Sequence, residues 1–270
     1  RDGELLLFFL RKDAPDDLSV WMRRCLREPD SWSTPTRVST LPGYHVMNND
    51  RVIELRDGRL LAPVAMTPNI ARQYRAQEAF CYLSDDGGET WRPGRGRVGF
   101  ERSAAMEPGV VELRDGRILM ILRTTLGYVY ASHSNDRGDT WSEPTTMTLR
   151  TADGIGPVVA PAAPASIARI HSTGDLLLVW INNPKGAKAG WKERTPLAAA
   201  ISRDERRTWT NARNVEDDPD CSYGYCSITF AGEHAILTYY VWRDKGQRGF
   251  EDTSLKLKSL SREWFDSKPR

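Results

Sequence analysis

Apolar and polar residues alternate along this chain in short runs rather than in the 3.6-residue rhythm of long helices. Val52–Leu61 reads VIELRDGRLL and Val111–Met120 reads VELRDGRILM: an apolar stretch, a polar turn carrying Gly, and a second apolar stretch. Weaker copies lie over Ile167–Val179, with the turn Ser172-Thr173-Gly174-Asp175, and over Ile228–Leu237, with the turn Ala231-Gly232-Glu233. A further copy opens at Arg1-Asp2-Gly3, ahead of the apolar run Leu5–Leu10. Asp-Gly between apolar runs predicts a β-hairpin, because both residues tolerate positive φ. The turn glycines fall at 3, 58, 116, 174 and 232, so the steps are 55, 58, 58 and 58 residues.

A second motif interleaves with the hairpins. Ser84–Trp91 reads SDDGGETW, Ser134–Trp141 reads SNDRGDTW, and Ser202–Trp209 reads SRDERRTW, with Arg206 in the place of Gly. Cys25–Trp32, CLREPDSW, reads as a decayed copy. In each, the third-position Asp is expected to accept bonds from the following amides. The Gly is expected to be left-handed and the Trp to pack inward. Two hairpins per period predict four-stranded sheets repeated radially, a β-propeller, with a β-sandwich as the alternative. No helix of convincing length is predicted. Gln73–Phe80 reads as a short helix or the start of a strand, and Ser254–Leu260 as a final strand before Trp264.

Composition narrows the function classes. Hydrophobic residues at 40% and charged residues at 27% support a globular core and exclude disorder. Lys+Arg number 38 against 36 Asp+Glu, which leaves no basic footprint for nucleic acid and no acidic tail. The longest apolar run has six residues, against the roughly 20 needed to span a bilayer. Four cysteines do not make a disulfide scaffold. Cys221 and Cys226 suit a disulfide or free thiols equally, whereas Cys25 and Cys81 fall in or beside strands and are expected to be buried. His45, His133, His171 and His234 show no metal-ligand spacing. The 9 Trp, 21 Gly and 16 Pro fit many short strands.

The SxDxGxTW motif resembles the Asp box, or BNR repeat, of the sialidase (neuraminidase) superfamily, and the match runs over most of the chain. The resemblance implies an all-β, six-bladed β-propeller of the sialidase type, with residues 1–270 forming one domain. At 58 residues per blade, 270 residues make about 4.7 blades. The expectation is therefore a first blade, carrying the family's first carboxylate-binding arginine, upstream of Arg1. Any secretion signal, for a secreted or periplasmic location, would also lie there. Asp86, Asp136 and Asp204 are expected to be structural, since the family's boxes lie away from its active site.

The same resemblance implies site residues between the boxes. In Met106–Trp141, Glu107 takes the place of the glutamate that partners a tyrosine nucleophile, and Arg123 that of a carboxylate-binding arginine. Arg194, ahead of Pro196-Leu197-Ala198, takes the place of another, while Lys192 and Arg203 read as solvated. Tyr225 matches the nucleophile that stands just before the last hairpin, with Tyr223 as the fallback. The acid/base aspartate falls in the loop Arg11–Asp17. Counting from either end favours Asp13 and Asp17 equally, with Asp16 beside them. Arg11 resembles an arginine that holds a sugar hydroxyl. Asn49 and Asp50 fall where the family contacts substrate hydroxyls, although an Asn-Asn-Asp run also reads as a turn. Ala160–Pro164 reads as a blade connection and Asn182–Gly186 as a loop near Arg194.

The implied chemistry is exo-sialidase-like removal of a terminal sialic acid or related anionic sugar by a retaining mechanism, with no cofactor. A phenol, with a pKa near 10, is a poor nucleophile unaided, so a nearby Glu takes its proton. A neutral Tyr avoids the repulsion that a carboxylate nucleophile would feel beside the sugar carboxylate. The alternatives are another glycosidase or a polysaccharide lyase acting on uronic acids, or a non-catalytic propeller that binds glycan or protein.

Overall fold

A computed structural model describes residues 4–25, 31–151, 154–189, 193–243 and 253–267. The Arg1-Asp2-Gly3 turn, residues 26–30 of the decayed box, and Lys192 lie outside them. The chain divides into two compact units, one of Arg1–Pro108 with Ser134–Trp141 and one of Gly109–His133 with Ser142–Arg270.

The four described hairpin turns form as their sequences require. Gly58, Gly116, Gly174 and Gly232 all have positive φ, between 56° and 94°. In the first two, the Gly amide donates to the Leu55 or Leu113 carbonyl, and the amide of that same leucine donates to the carbonyl of Arg59 or Arg117, the residue after the Asp-Gly pair.

The first unit holds β1 (Leu5–Ala14), β2 (Asp17–Cys25), β3 (Thr36–Arg37), β4 (Tyr44–Val46), β5 (Ile53–Glu54), β6 (Leu60–Thr67), β7 (Glu78–Ser84) and β8 (Arg92–Pro93). The periodicity predicts separate four-stranded repeats. Instead these eight strands share one sheet, in the order β1-β2-β4-β6-β7-β8, with β3 on β2 and β5 on β6. The join is one parallel pair, Leu18 with Tyr44. A buried side chain supports it: His45 Nδ1 lies 3.2 Å from the Leu18 carbonyl, and His45 Nε2 lies 2.9 Å from the Tyr82 hydroxyl. A carbonyl only accepts, so Nδ1 carries the proton and Nε2 accepts from Tyr82. The core of this unit packs Val20, Met22, Leu60, Val64, Phe80, Tyr82 and Trp91. Gln73–Phe80 divides between both of its readings. Helix α1 (Ile70–Gln73) and a 3₁₀ turn over Tyr74–Ala76 lead into β7.

Strands β9 (Met106–Glu112), β10 (Ile118–Arg123), β11 (Tyr130–Ser134) and β12 (Thr145–Thr146) form an antiparallel sheet in the order β12-β11-β10-β9. The hairpin of β13 (Thr148–Thr151) and β14 (Gly154–Pro157) follows, which the periodicity does not predict. Then come a four-stranded sheet of β15 (Ser166–Arg169), β16 (Leu176–Ile181), β17 (Leu197–Ser202) and β18 (Thr210–Glu216), and a three-stranded sheet of β19 (Ser222–Ala231), β20 (His234–Trp242) and β21 (Thr253–Ser261). Helix α2 (Arg262–Asp266) is capped by the Ser261 hydroxyl and covers Trp264 and Phe265. Two apolar clusters fill the second unit. One centres on Leu119, Leu178, Trp180 and Trp209, the other on Leu177, Tyr223, Leu237 and Tyr239. All four cysteines are free and buried, which resolves the Cys221–Cys226 alternative in favour of thiols.

The three complete boxes share one geometry. Asp86, Asp136 and Asp204 each accept the amide and hydroxyl of the Thr four residues on, at 2.5–2.9 Å. Ser84, Ser134 and Ser202 each accept an amide at 2.7–2.8 Å from Gly88, Gly138 and Arg206. Trp91 and Trp209 are buried as expected. Trp32, which ends the decayed copy, is 36% exposed.

Candidate active site

The second unit brings two of the expected residues together. Arg194 lies in the segment before β17, next to the cis Thr195–Pro196 bond, and three bonds fix its backbone. The Asn183 side chain donates to the Glu193 carbonyl at 2.9 Å, Tyr223 N donates to the Arg194 carbonyl at 2.8 Å, and Arg194 N reaches Ser222 Oγ at 3.4 Å. The guanidinium is buried, 5% exposed. Its Nη2 donates to the Ala162 carbonyl at 3.1 Å. Its Cζ stands 5.6 Å from the Tyr225 ring and 5.9 Å from the Trp242 ring, within cation–π range.

Tyr225 owes its placement to a β-bulge. The β19–β20 register shifts between Gly224, opposite Tyr240, and Ser227, opposite Thr238, so β19 carries an extra residue there. Tyr225 sits in that bulge at φ 57°. A bulge re-aims a side chain. Tyr223 and Cys226 both face the core, whereas Tyr225 between them is half-buried. Its ring makes edge contacts with Tyr240 and Trp242, at 6.2 and 6.3 Å. The sequence places Tyr225 ahead of the strand; it lies within it. Tyr223, the fallback, faces the core. It is 2% exposed, and burial pushes its phenol well above the ordinary value.

The remaining expected residues are set by their own elements. Glu107, the second residue of β9, is buried at φ 44° immediately before Pro108. A non-Gly residue in the left-handed region, and one preceding proline, carries strain of the kind concentrated at functional sites. Arg123 ends β10, half-buried after five fully buried residues. Asn49 and Asp50 are exposed in a turn, with Asp50 at φ 46°, as the turn reading expects.

The expected loop Arg11–Asp17 is a correction. Arg11 to Ala14 continue β1, Asp17 begins β2, and only Pro15 and Asp16 form the turn. The long run of β1–β2 pairs carries the hairpin through to Ala14 opposite Asp17. A register shift between Lys12 and Ala14 makes Asp13 a bulge residue. Exposed Asp13 accepts from Arg11 Nε at 2.8 Å, and the Arg11 guanidinium stacks 5.0 Å from the Trp21 ring. Asp17 is half-buried, and its charge acts on His45, whose pKa is nevertheless lowered, chiefly by burial.

Sequence reasoning missed Trp242, Gly224 and the Ala162 carbonyl. A Cβ on Gly224 would meet Arg194 Nη1 and Trp242 Cη2 at 3.2 Å, so glycine leaves room there for both. The signal was a Gly between two tyrosines, but its meaning depends on Trp242, 18 residues on. Among the described residues, no group of three or more His, Cys, Asp or Glu could hold a metal ion. No helix there is long and apolar enough to cross a membrane.

The fold is shared with many solved structures. It is similar to the Trypanosoma rangeli sialidase in complex with the inhibitor DANA, at 17% identity and TM-score 0.66, covering 94% of this chain and 42% of that one. It is similar to the K499G mutant of NanB sialidase from Streptococcus pneumoniae, at 21% identity and TM-score 0.60, covering 82% and 32%. A protein of unknown function from Dyadobacter fermentans DSM 18053 matches at 20% identity and TM-score 0.66, covering 94% and 67%. The chain thus spans less than half the length of either sialidase. At these identities the likeness defines the fold, which is all-β and of the sialidase β-propeller class. The chain belongs to the BNR repeat-like domain family, whose model matches residues 1–237.

Proposed function

We propose that this protein is a sialidase-type glycoside hydrolase that removes sialic acid or a related anionic sugar from glycans, and that residues 1–270 belong to one six-bladed propeller domain. The observation that carries the reading is the pairing of buried Arg194 with Tyr225, a tyrosine turned off the core face by a bulge at φ 57°. The Trypanosoma rangeli sialidase of similar fold has been seen with sialic acid and with 2,3-difluorosialic acid as a covalent intermediate.

The chemistry assigns each residue a task. Arg194 and Arg123 offer guanidinium forks to the sugar carboxylate, each able to donate two parallel bonds. Tyr225 attacks the anomeric carbon and Glu107 accepts the phenolic proton. Asp13 or Asp17 protonates the leaving oxygen, and the same group then activates water to release the sugar with retained configuration. Arg11, Asn49 and Asp50 hold sugar hydroxyls. The rings of Tyr225 and Trp242 beside the Arg194 guanidinium lower its exposure to water and so strengthen its hold on an anion.

Hydrolysis of an aryl sialoside tests this reading, with uronate polymers assayed in parallel. Tyr225→Phe should lower turnover by about a thousandfold while sialic acid binding stays within about threefold. An unchanged rate would remove Tyr225 from the mechanism. Cleavage of uronate polymers alone would replace the substrate class.

A further inference from the structure

The second unit also holds an open cavity of about 460 Å³ between the Arg114–Arg117 turn and the third box. None of its lining residues takes part in the site around Arg194 and Tyr225. Four arginines line it, Arg114, Arg117, Arg206 and Arg207, against Asp115, Asp204 and Glu205. The three acids are already engaged. Asp115 pairs with Arg117 at 2.8 Å. Glu205 takes both forks of Arg169 at 2.8 and 2.9 Å and the Arg114 amide at 2.8 Å. Asp204 accepts from Ser202 and Thr208 within its box. Among the described residues, Arg206 and Arg207 have no ion-pair partner.

Arg206 is the unusual member. It occupies the left-handed region at φ 69°, where the other two boxes carry Gly88 and Gly138 at 95° and 87°. It is half-buried, and burial together with Arg117 works against its charged form. Left-handed backbone strain and the partial desolvation of an unpaired cation coincide at a position where glycine would serve the fold. His133 on β11 reports the same positive field. Burial, then Arg206 and Arg117, push its pKa down to about 4 against the opposing charge of Asp115. Its Nε2 is enclosed with no hydrogen-bond partner.

We propose that this cavity binds a tetrahedral oxyanion, a sulfate or phosphate group on a small sugar-like ligand, with Arg206 as its principal counter-charge. Guanidinium forks match such an anion with paired N–H bonds, and Arg207 and Thr148 border the same opening. The anion supplies the partner that Arg206 lacks.

The test uses the whole chain at low ionic strength, titrated with sodium sulfate and sodium phosphate against sodium chloride at equal ionic strength. Glucosamine 6-sulfate and glucose 6-phosphate then separate the two sources. Binding and the His133 ring titration are followed by NMR. The comparison variant is Arg206→Gly, which restores the residue that the other boxes use and so keeps the fold. Saturable binding with Kd of about 1–10 mM, at least about tenfold weaker in Arg206→Gly, is expected. In the parent chain the His133 pKa should rise on saturation. In Arg206→Gly it should start higher and move little with added anion. A stronger response to either ester identifies the source and supports the site. No saturation by any probe, or equal binding by Arg206→Gly, would overturn it.

Discussion

Arg194 is held by its backbone before its side chain meets any ligand. Bonds from Asn183, Ser222 and Tyr223 fix the segment, and the Ala162 carbonyl orients the guanidinium. Arg194→Lys keeps the charge but loses the planar fork and the stacking on Tyr225 and Trp242. Sialic acid affinity should fall about tenfold or more, measured by calorimetry, with little change in thermal stability. Gly224→Ala should act through the same group, because the added methyl forces Arg194 or Trp242 to shift by a few tenths of an ångström. KM for an aryl sialoside should rise about threefold to tenfold, and an unchanged KM would show that the guanidinium has room to spare. At this scale the sequence revealed the residue types and their order. Arg194, Glu107, Arg123 and Tyr225 stand out by charge or chemistry beside apolar runs. Of their partners, only the loop holding Asn183 was legible beside Arg194; Ala162 and Trp242 approach it only through folding, and a backbone carbonyl leaves no trace in composition.

The Asp box is the element whose sequence speaks most directly. Its first Ser and third-position Asp accept from amides and hydroxyls within a few residues, so the motif and its geometry are almost the same information. Asp86→Ala removes an acceptor used by the Thr90 amide, the Thr90 hydroxyl and Ser84. It should cost about 2 kcal/mol in urea unfolding. Arg206→Gly should do the opposite in an anion-free buffer, gaining about 0.5–1 kcal/mol by relieving the left-handed strain. Both changes leave the hairpins intact. The elements that escaped sequence reading have a common cause. The bulges at Tyr225 and Asp13 and the single Leu18–Tyr44 pair depend on an inserted residue or on the choice of partner strand, and period-2 patterning encodes neither. The β13–β14 hairpin escaped because Gly154, Gly156 and Pro157 interrupt its apolar alternation.

At the scale of the molecule, acid should unfold this protein in two stages. His45 and His133 are held below the ordinary value of 6.5, so they remain neutral when folded at a pH where the unfolded chain binds protons. Stability is therefore complete above about pH 6.5 and falls towards pH 4, by roughly 1–2 kcal/mol once the partial exposure of His133 is discounted. The box carboxylates titrate below their ordinary value of 3.8. Hydrogen bonds from Thr90 hold Asp86 down to about 2, and those to Asp136 and Asp204 outweigh the upward push of burial. Their contribution is present above about pH 4 and is lost as pH approaches 2. Urea midpoints at pH 7, 5.5, 4 and 3 check both stages, and a flat profile from 7 to 4 would contradict the histidine stage. Exposed leucines on two outer strands set a second whole-molecule property. Leu5 and Leu7 on β1 are 64% and 47% exposed, and Leu255 and Leu257 on β21 are 69% and 63% exposed. Replacing Leu255 with Lys and Leu257 with Thr should lower self-association in sedimentation velocity. The central claim is that Tyr225 bonds covalently to an anionic sugar, and trapping tests it most directly. Incubation with 2,3-difluorosialic acid, followed by peptide mass spectrometry, should place one sugar adduct on the peptide containing Tyr225 and none in Tyr225→Phe. An adduct that persists in Tyr225→Phe, or the absence of any adduct in the parent chain, would contradict the account.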